Sequence, residues 1–218
     1  GQFTAQAFNT TDLDDNQITV FHPGAMNHSH RNHVSPELRA RLAIIAPDGK
    51  EGMLQHAREC AAAAVPFLFD PGQGLPMFSG EEIREFLRLA DYVAVNDYEG
   101  KLLEEKTGRK LEVLAREVKA LVCTLGANGS LIFAAGKRHE VPCVSADAVV
   151  DPTGCGDAYR AGLLYGIARG WDWDSTGKLG ALMGALKIAR RGAQNHTATR
   201  DEIERRFRGA FGYSPWRE

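Results

Sequence analysis

From residue 36 onward, short apolar segments alternate with segments of helical character, and this alternation restricts the possible folds more than any other feature of the chain. Parallel strands need crossover connections, which helices usually supply, so the pattern indicates a mainly parallel sheet flanked by helices. The predicted strands are 42–46, 67–69, 92–95, 121–125 and 137–144, and the predicted helices are 51–64, 80–89, 178–190 and 200–211. The fold class is therefore predicted to be α/β, with ligands bound beyond the carboxyl ends of the strands.

The composition is that of an ordinary globular protein. The 218 residues suffice for one α/β domain with a sizeable core, and 44% of them are hydrophobic and 25% charged. A formal net charge of −2 argues against nucleic acid or an anionic membrane as the main partner, and no apolar run reaches membrane-spanning length. The cysteines form no C-x-x-C pair, which predicts reduced thiols and a cytoplasmic location.

Two β-prone segments precede the alternation, at residues 3–8 and 17–21. A stretch of turn-forming residues separates them, so a hairpin is predicted. That stretch contains Asp12, Asp14, Asp15 and Asn16, without the spacing of a calcium-binding loop. The H-x-H-x-x-H spacing of His28, His30 and His33 suggests a metal site, but no cysteine or carboxylate cluster completes it. Exposed loop histidines are the favoured interpretation.

Gly154 and Gly156 lie in a turn between a strand, predicted to end at the β-branched pair Val149 and Val150, and an apolar helix. Because glycine has no side chain, the backbone of this turn can approach a ligand closely. The first N–H groups of a helix have no internal partner, and the helix dipole adds a partial positive charge there. The turn therefore predicts an anion site, most naturally for phosphate.

Asp157 follows in the first turn of that helix. The dipole favours a carboxylate at this place, but a bound phosphate repels it, so a catalytic role as a base is indicated. A simple helix start with a capping acid is the plainer alternative. Two other nucleotide motifs are excluded, because Tyr159 stands at the third small position of G-x-G-x-x-G and no G-x-x-x-x-G-K-[ST] occurs.

The segment D-P-T-G-C-G-D-A-Y-R-A-G at residues 151–162 resembles the C-terminal signature of the ribokinase-like (PfkB) sugar and nucleoside kinases. Cys155 replaces the usual Ala and Pro152 a frequent Thr, and neither change removes an N–H group from the turn glycines. Three further motifs are similar to family motifs and occur in the family's order. They are N-D-Y-E at 96–99, T-L-G-A-N-G at 124–129 and R-R-G-A-Q at 190–194.

The resemblance implies a ribokinase-like α/β fold, with a mainly parallel sheet flanked by helices and part of a small β lid. It assigns residues 1–35 to the partial lid and its connection, and residues 36–218 to the nucleotide-binding core. The implied reaction transfers the γ-phosphoryl group of ATP, with Mg²⁺, to a primary hydroxyl. Residues 10–26 and the D-P-G-Q segment at 70–73 are similar to bacterial adenosine kinases, so the 5′-hydroxyl of adenosine, in purine salvage, is the first choice of acceptor.

The resemblance also implies roles for single residues. Asp157 would contact the substrate and take the hydroxyl proton, while the backbone N–H groups of Gly154, Cys155 and Gly156 would neutralise charge on the phosphoryl group. The implied nucleotide-binding residues are Asn96, Glu99, Thr124, Gly126, Gly129 and Gly156. Glu99 would orient waters on Mg²⁺, and Gln73 would hold the nucleoside.

A monovalent cation, potassium, is implied behind the anion-binding turn. Its ligands would be Asp151 and Thr153 together with the backbone carbonyls of Lys187, Arg190 and Gly192. The family often has a serine where His196 stands in this chain, which weakens that part of the site.

Three of these motifs also have a purely structural explanation. Asn96 and Glu99 can form a capping box at a helix start. The glycines of 124–129 can form the turn of a β-hairpin. Gln73 can belong to an ordinary turn after a strand.

Two alternatives to an adenosine kinase stay open at this point. The nearer one is a sugar kinase of the same family, and the other is a non-catalytic nucleotide-binding relative, against which the acid at Asp157 argues. The resemblance further implies that the family's N-terminal substrate-binding part has no counterpart in this chain. We therefore expect the chain alone to bind nucleotide weakly, to show negligible turnover and to aggregate, and we expect a homodimer through the lid.

Overall fold

The computed structural model describes residues 1–11, 17–35, 37 and 39–216. Its strands are β1 (Gln6–Thr11), β2 (Gln17–His22), β3 (Ala43–Ile45), β4 (Phe67–Phe69), β5 (Tyr92–Asn96), β6 (Ala120–Thr124), β7 (Ser130–Ala134) and β8 (Lys137–Val141). Its α-helices are α1 (Lys50–Ala62), α2 (Gly80–Leu89), α3 (Asp97–Thr107), α4 (Leu111–Leu114), α5 (Cys155–Arg169), α6 (Trp173–Ile188) and α7 (Arg200–Phe211). Among the described residues, no helix is both long and apolar enough to cross a membrane.

The central sheet has six strands in the order β3-β4-β5-β6-β7-β8. The pairs from β3 to β6 are parallel, and the pairs β6-β7 and β7-β8 are antiparallel. The inner parallel strands are covered on both faces and are mainly apolar, whereas the edge strand β3 leaves Ile44 exposed. The three residues of β4 are all fully buried, for example. The predicted α/β class with a mainly parallel sheet is confirmed.

Local sequence signals set most of the helix starts. Ser79 caps α2 in a reciprocal capping box with Glu82, in which each side chain accepts a hydrogen bond from the other residue's backbone N–H. Thr199 caps α7 through the N–H of Glu202. The bounds predicted for these two helices, 80–89 and 200–211, agree with the structure.

Three predicted boundaries differ from the structure, at 137–144, at 149–150 and at 170–174. Val149 and Val150 belong to no strand, because the backbone N–H groups of Val150 and Asp151 donate to the carbonyl of Ile188 at the end of α6 instead of to a neighbouring strand. The segment 170–174, predicted as a loop, contains the start of α6, because the Asp172 side chain caps it through the N–H of Ser175. The strand predicted at 137–144 ends at Val141.

The predicted N-terminal hairpin is present as a separate antiparallel sheet of two strands. Its register pairs Gln6 with His22 and Thr11 with Gln17. The predicted turn at Asp12, Asp14, Asp15 and Asn16 lies outside the described residues. The division of the chain into lid and core stays a prediction.

Candidate active site

The glycine-rich turn delivers backbone N–H groups to the amino end of α5. Gly154 adopts a left-handed conformation with φ of 83°, and a Cβ atom there would lie 2.9 Å from the carbonyl oxygen of Ala193, so glycine is required. The first backbone bond of the helix runs from the N–H of Ala158 to the carbonyl of Gly154, at 3.0 Å.

The predicted set of anion donors needs one correction. The Cys155 N–H donates to the carbonyl of Pro152 at 3.1 Å, so this donor is already engaged. Within the described residues, the N–H groups of Gly154, Gly156 and Asp157 make no hydrogen bond. These three groups, and not the three predicted ones, are available to an anion.

Asp157 projects an exposed carboxylate from this first turn. In the part of the chain that the structure describes, the carboxylate makes neither a hydrogen bond nor an ion pair, so it is free to accept a proton. The repulsion between its negative charge and that of Asp70 contributes to the raised pKa of Asp70. The predicted base therefore lies next to the free N–H groups and near a second acid.

A buried charged cluster lies behind the base, formed by Arg160, Asp70 and Glu99. The Arg160 guanidinium donates to both carboxylate oxygens of Asp70, from Nε at 2.9 Å and from Nη2 at 3.0 Å. The same Nη2 lies 3.7 Å from a carboxylate oxygen of Glu99. Burial raises the pKa of both carboxyl groups, and the guanidinium opposes that rise. One arginine thus joins the ends of β4 and β5 to helix α5.

Asn96 and Glu99 form the capping box that opens α3. The Asn96 side chain accepts from the Glu99 N–H at 2.7 Å, and the Glu99 carboxylate accepts from the Asn96 N–H at 2.8 Å and from its side-chain amide at 3.0 Å. The structural explanation of this motif is therefore correct. It does not compete with a role in binding, because the cap holds both side chains at the carboxyl end of β5.

The motif at 124–129 forms the connection between β6 and β7, so the hairpin explanation is also correct. The Leu125 N–H donates to the Gly129 carbonyl at 2.8 Å. Gly129 has φ of 83°, and a Cβ atom there would come within 2.1 Å of the Val141 carbonyl oxygen. The glycine therefore permits a close crossing of the β8 strand that a larger residue would prevent.

A cavity of about 420 Å³ lies between this connection, the start of α5 and helix α6. It brings together five predicted site residues that are far apart in the sequence, namely Thr124, Gly126, Gly129, Cys155 and Gly156. The remaining wall is mainly apolar and includes Val144, Val149, Ala181 and Ile188. A largely apolar cavity that opens at an anion site has the character of a nucleotide pocket.

Gln73 lies outside this cavity. It is exposed in the 3₁₀ segment Gly72–Met77, which follows β4 directly. The neighbouring Asp70 is tied to Arg160, which places this segment at the same edge of the sheet as Asp157. Gln73 is therefore absent from the lining of the cavity, and its role in holding a nucleoside stays a prediction.

The residues predicted to bind potassium do come together. The Asp151 carboxylate accepts from the backbone N–H groups of Gly192 at 2.7 Å and Thr153 at 2.9 Å, and these bonds lower its pKa to about 2. Lys187, however, contributes more to this arrangement than the predicted backbone carbonyl. Its carbonyl accepts from the Arg190 N–H, while its side-chain Nζ donates to the carbonyls of Asp151 at 2.7 Å and Arg190 at 3.1 Å. The donor set does not fit potassium, because an ammonium group already uses two of its carbonyls.

Two residues of the histidine-rich segment pair with separate carboxylates. His30 lies 3.4 Å from Glu51, and His33 lies 2.6 Å from Glu59. In the described part of the chain, no three metal-ligating side chains converge. The H-x-H-x-x-H spacing instead places histidines beside separate carboxylates on α1.

Comparison with known proteins agrees with this geometry. A profile of the family described as "pfkB family carbohydrate kinase" matches residues 2–200. The chain belongs to this family. It is 32% identical over 204 residues to a nucleoside kinase of Methanocaldococcus jannaschii, covering 94% of this chain and 67% of that protein.

Two solved structures extend the comparison. A Burkholderia thailandensis nucleoside kinase in complex with inosine is similar with a TM-score of 0.95 at 54% identity, covering 98% of this chain and 72% of the other. The adenosine kinase from Sinorhizobium meliloti is similar with a TM-score of 0.77 at 25% identity, covering 96% and 67%. The chain spans about two thirds of the length of the curated nucleoside kinases that it matches.

Within this pfkB family chain, Arg160 is the site residue that the motifs did not single out. It stands inside the glycine signature, where the motif implies no role for it, and an arginine on a helix is usually exposed. A usable signal was present, since Arg160 is flanked by apolar helix positions and a buried arginine needs carboxylate partners. Asp70 and Glu99, which follow two neighbouring strands, are those partners.

Proposed function

We propose that this protein is an ATP-dependent kinase of the pfkB family that phosphorylates the 5′-hydroxyl of adenosine, in cytoplasmic purine salvage. The observation that carries the proposal lies at the start of α5, which borders the cavity: within the described residues, the Asp157 carboxylate and three neighbouring N–H groups make no hydrogen bond. Two relatives support a nucleoside as the acceptor substrate. One is a nucleoside kinase in complex with inosine, and the other is an adenosine kinase.

Proton transfer and charge neutralisation are the two tasks of the α5 start. The acceptor hydroxyl oxygen bonds to the γ-phosphorus of ATP as the bond to the ADP oxygen breaks, and Asp157 takes the hydroxyl proton. The N–H groups of Gly154, Gly156 and Asp157 donate to the phosphoryl oxygens on which charge develops. These donors are held in place by the helix and need no rearrangement during the reaction.

The cavity is proposed to hold the adenosine part of ATP. Its apolar wall would bury the base, and Thr124, Gly126 and Gly129 would border the ribose and phosphates. A complex of the 54% identical relative with ADP and inosine supports the use of an adenine nucleotide. The acceptor nucleoside would then lie on the other side of Asp157, near Gln73.

Magnesium fits the site in hydrated form. Asp70, Glu99 and Asp157 gather negative charge in excess of the single guanidinium of Arg160. Mg²⁺ usually keeps several waters and is bound through substrate phosphates, so a direct cage of protein ligands is not required. Glu99, held by Asn96, would orient those waters, and the ion would neutralise phosphate charge.

An assay of ADP production by the full-length protein tests the proposal. The acceptors are adenosine, inosine, uridine, ribose and fructose at equal concentrations, with Mg²⁺ and ATP. We expect adenosine to give the highest kcat/KM. Turnover with the free sugars alone would establish the sugar kinase alternative. A higher kcat/KM for inosine than for adenosine would show that inosine is the preferred nucleoside.

A calorimetric titration with ADP distinguishes a kinase from a non-catalytic nucleotide-binding relative. ADP binding with no turnover on any of these acceptors would identify a non-catalytic nucleotide-binding relative. If the protein neither binds ADP nor turns over any acceptor, the cavity is not a nucleotide site.

The N-terminal hairpin is proposed to belong to a lid through which two copies associate. Several of its apolar side chains are exposed, among them Phe8, Ile18 and Val20. Exposed apolar surface of this kind is often an interaction site.

A further inference from the structure

We propose that the ammonium group of Lys187 permanently occupies the place of a monovalent cation behind the anion-binding turn, so that this protein needs no potassium. The family resemblance predicts a potassium site here, and the observed arrangement disagrees with it. Lys187 would then be a positioning residue, acting on the phosphate-binding N–H groups through the turn that it holds.

The burial of Lys187 is the first observation. The whole residue is fully buried, although it lies in the last turn of α6. In the described part of the chain, its Nζ donates to two backbone carbonyls and to no carboxylate. Burying a charged group costs free energy unless it is paired, so its position demands specific compensation.

That compensation comes from oxygen atoms of the kind that bind monovalent cations. Nζ donates to the backbone carbonyls of Asp151 at 2.7 Å and Arg190 at 3.1 Å. The Asp151 carboxylate supplies the neighbouring negative charge, and the Lys187 charge helps to lower its pKa. Backbone carbonyls with a nearby carboxylate can bind potassium, and an ammonium group is a singly charged ion with similar preferences.

The contacts of Lys187 explain how it reaches the phosphate site. The Asp151 N–H donates to the Ile188 carbonyl, and the Gly192 N–H donates to the Asp151 carboxylate. These hydrogen bonds hold the turn against the end of α6. Lys187 adds a cationic contact between the same two segments, because its Nζ donates to the Asp151 carbonyl. Its charge also acts at Cys155, the first residue of α5, where it opposes the rise in thiol pKa that burial causes.

The test compares ADP binding and thermal unfolding in potassium, sodium and choline chloride at equal ionic strength. For the unaltered protein, we expect the ADP Kd to agree within about twofold in the three salts. Neither measurement depends on the acceptor, so the result stands whether or not adenosine is the substrate. A potassium-specific gain of about tenfold in ADP affinity would overturn the proposal.

The variant Lys187→Ala removes the ammonium and leaves room for an ion. We expect about tenfold weaker ADP binding in choline, largely restored by potassium or ammonium chloride and not by sodium chloride. Lys178→Ala is the matched control, because Lys178 lies on the same helix and pairs with Asp174 outside the site. The ADP Kd of Lys178→Ala should be the same in all the salts.

A second variant keeps the test decisive if Lys187→Ala does not fold. Lys187→Met keeps the aliphatic stem and fills the space, so we expect a folded protein with weakened ADP binding that potassium does not restore. Binding of ADP by either folded variant in choline with the affinity of the unaltered protein would overturn the proposal.

Discussion

Asp157 is the residue on which the proposed chemistry depends. Asp157→Asn keeps the size of the side chain but removes its ability to take a proton, so kcat should fall by about 10²–10⁴. The ADP Kd should change little, because the N–H groups at the start of α5 are unaffected. Asp201→Asn is the control, since Asp201 lies in the first turn of another helix. A loss of activity below tenfold would remove Asp157 from the mechanism.

Arg160 should matter for stability as well as for the site. Arg160→Met leaves Asp70 and Glu99 buried without their cation, and removing one partner of a buried pair typically costs about 3–5 kcal/mol. The control is Arg58→Met, because Arg58 makes a similar pair with Glu85 at the surface, where such pairs contribute about 0–1 kcal/mol. Urea unfolding of both variants measures the difference, and equal losses would contradict the argument.

The loss in Arg160→Met should also depend on pH. Burial already raises the pKa of Asp70 and Glu99 in the folded state, and removing the guanidinium raises it further. A group with a raised folded pKa stabilises the protein below its unfolded pKa, and this contribution is lost as the pH rises through the folded pKa. The variant should therefore be closer to the parent in stability near about pH 4 than near about pH 7. A loss that is independent of pH would exclude a titrating carboxyl group.

At this scale, sequence motifs predicted residues that the fold brings to the candidate site, and missed the buried side chains that support them. Asn96, Glu99 and Asp157 lie at element starts, where spacing alone reveals them. The pairing of Arg160 with Asp70 joins residues that are 90 positions apart, and no local pattern encodes it. The side chain of Lys187 was missed for the same reason, because its partners are backbone carbonyls of other segments.

Helices α5 and α6 form the wall behind the cavity, and glycines let them cross closely. A Cβ atom at Gly162 would come within 2.7 Å of the Gly180 Cα, and backbone can yield only by moving the whole helix. Gly162→Ala should therefore cost about 1–3 kcal/mol and weaken ADP binding, because α6 lines the cavity.

Gly209→Ala is the matched control for this prediction. Gly209 lies inside α7, and a Cβ atom there meets nothing within 4 Å. Alanine should stabilise that helix by up to about 1 kcal/mol. Unfolding by denaturant measures both variants, and a neutral or stabilising Gly162→Ala would show that the helices do not need this close approach.

Element boundaries were predicted well where capping residues and apolar runs coincide. The strand at 67–69 and the helices at 80–89 and 200–211 have such signals. The strand predicted to end at Val150 failed because β-branched residues favour a strand only when a neighbouring strand is available. There the backbone bonds to the end of α6, a tertiary contact that the local sequence does not reveal.

In the whole molecule, the candidate site collects at one edge of the central sheet. The ends of β4, β5 and β6 supply Asp70, Asn96 and Thr124, and the start of α5 faces them. The alternation of strands and helices was enough to predict this edge, because ligands bind where parallel strands end. It could not predict that α5 and α6 each contribute a buried cation, Arg160 and Lys187, since that depends on packing.

Every side chain that the structure describes in the separate hairpin is exposed, and its apolar face should mediate self-association. Phe8 pairs directly with Val20 in the register, so these side chains share a face with Ile18, and their exposures are 60%, 63% and 72%. Residues two apart on a strand point to the same face, which leaves Phe21 on the opposite one.

Replacing Ile18 and Val20 together by threonine keeps the β-branched shape but makes this face polar, so the hairpin should persist while association weakens. Sedimentation velocity over a range of protein concentrations should show a shift from dimer toward monomer for the double variant. Phe21→Thr removes a comparable apolar group from the other face and should leave the distribution unchanged. If Phe21→Thr dissociates the protein as strongly, the contact does not lie on the face of Phe8, Ile18 and Val20. If neither variant changes the distribution, the hairpin is not the surface through which copies associate.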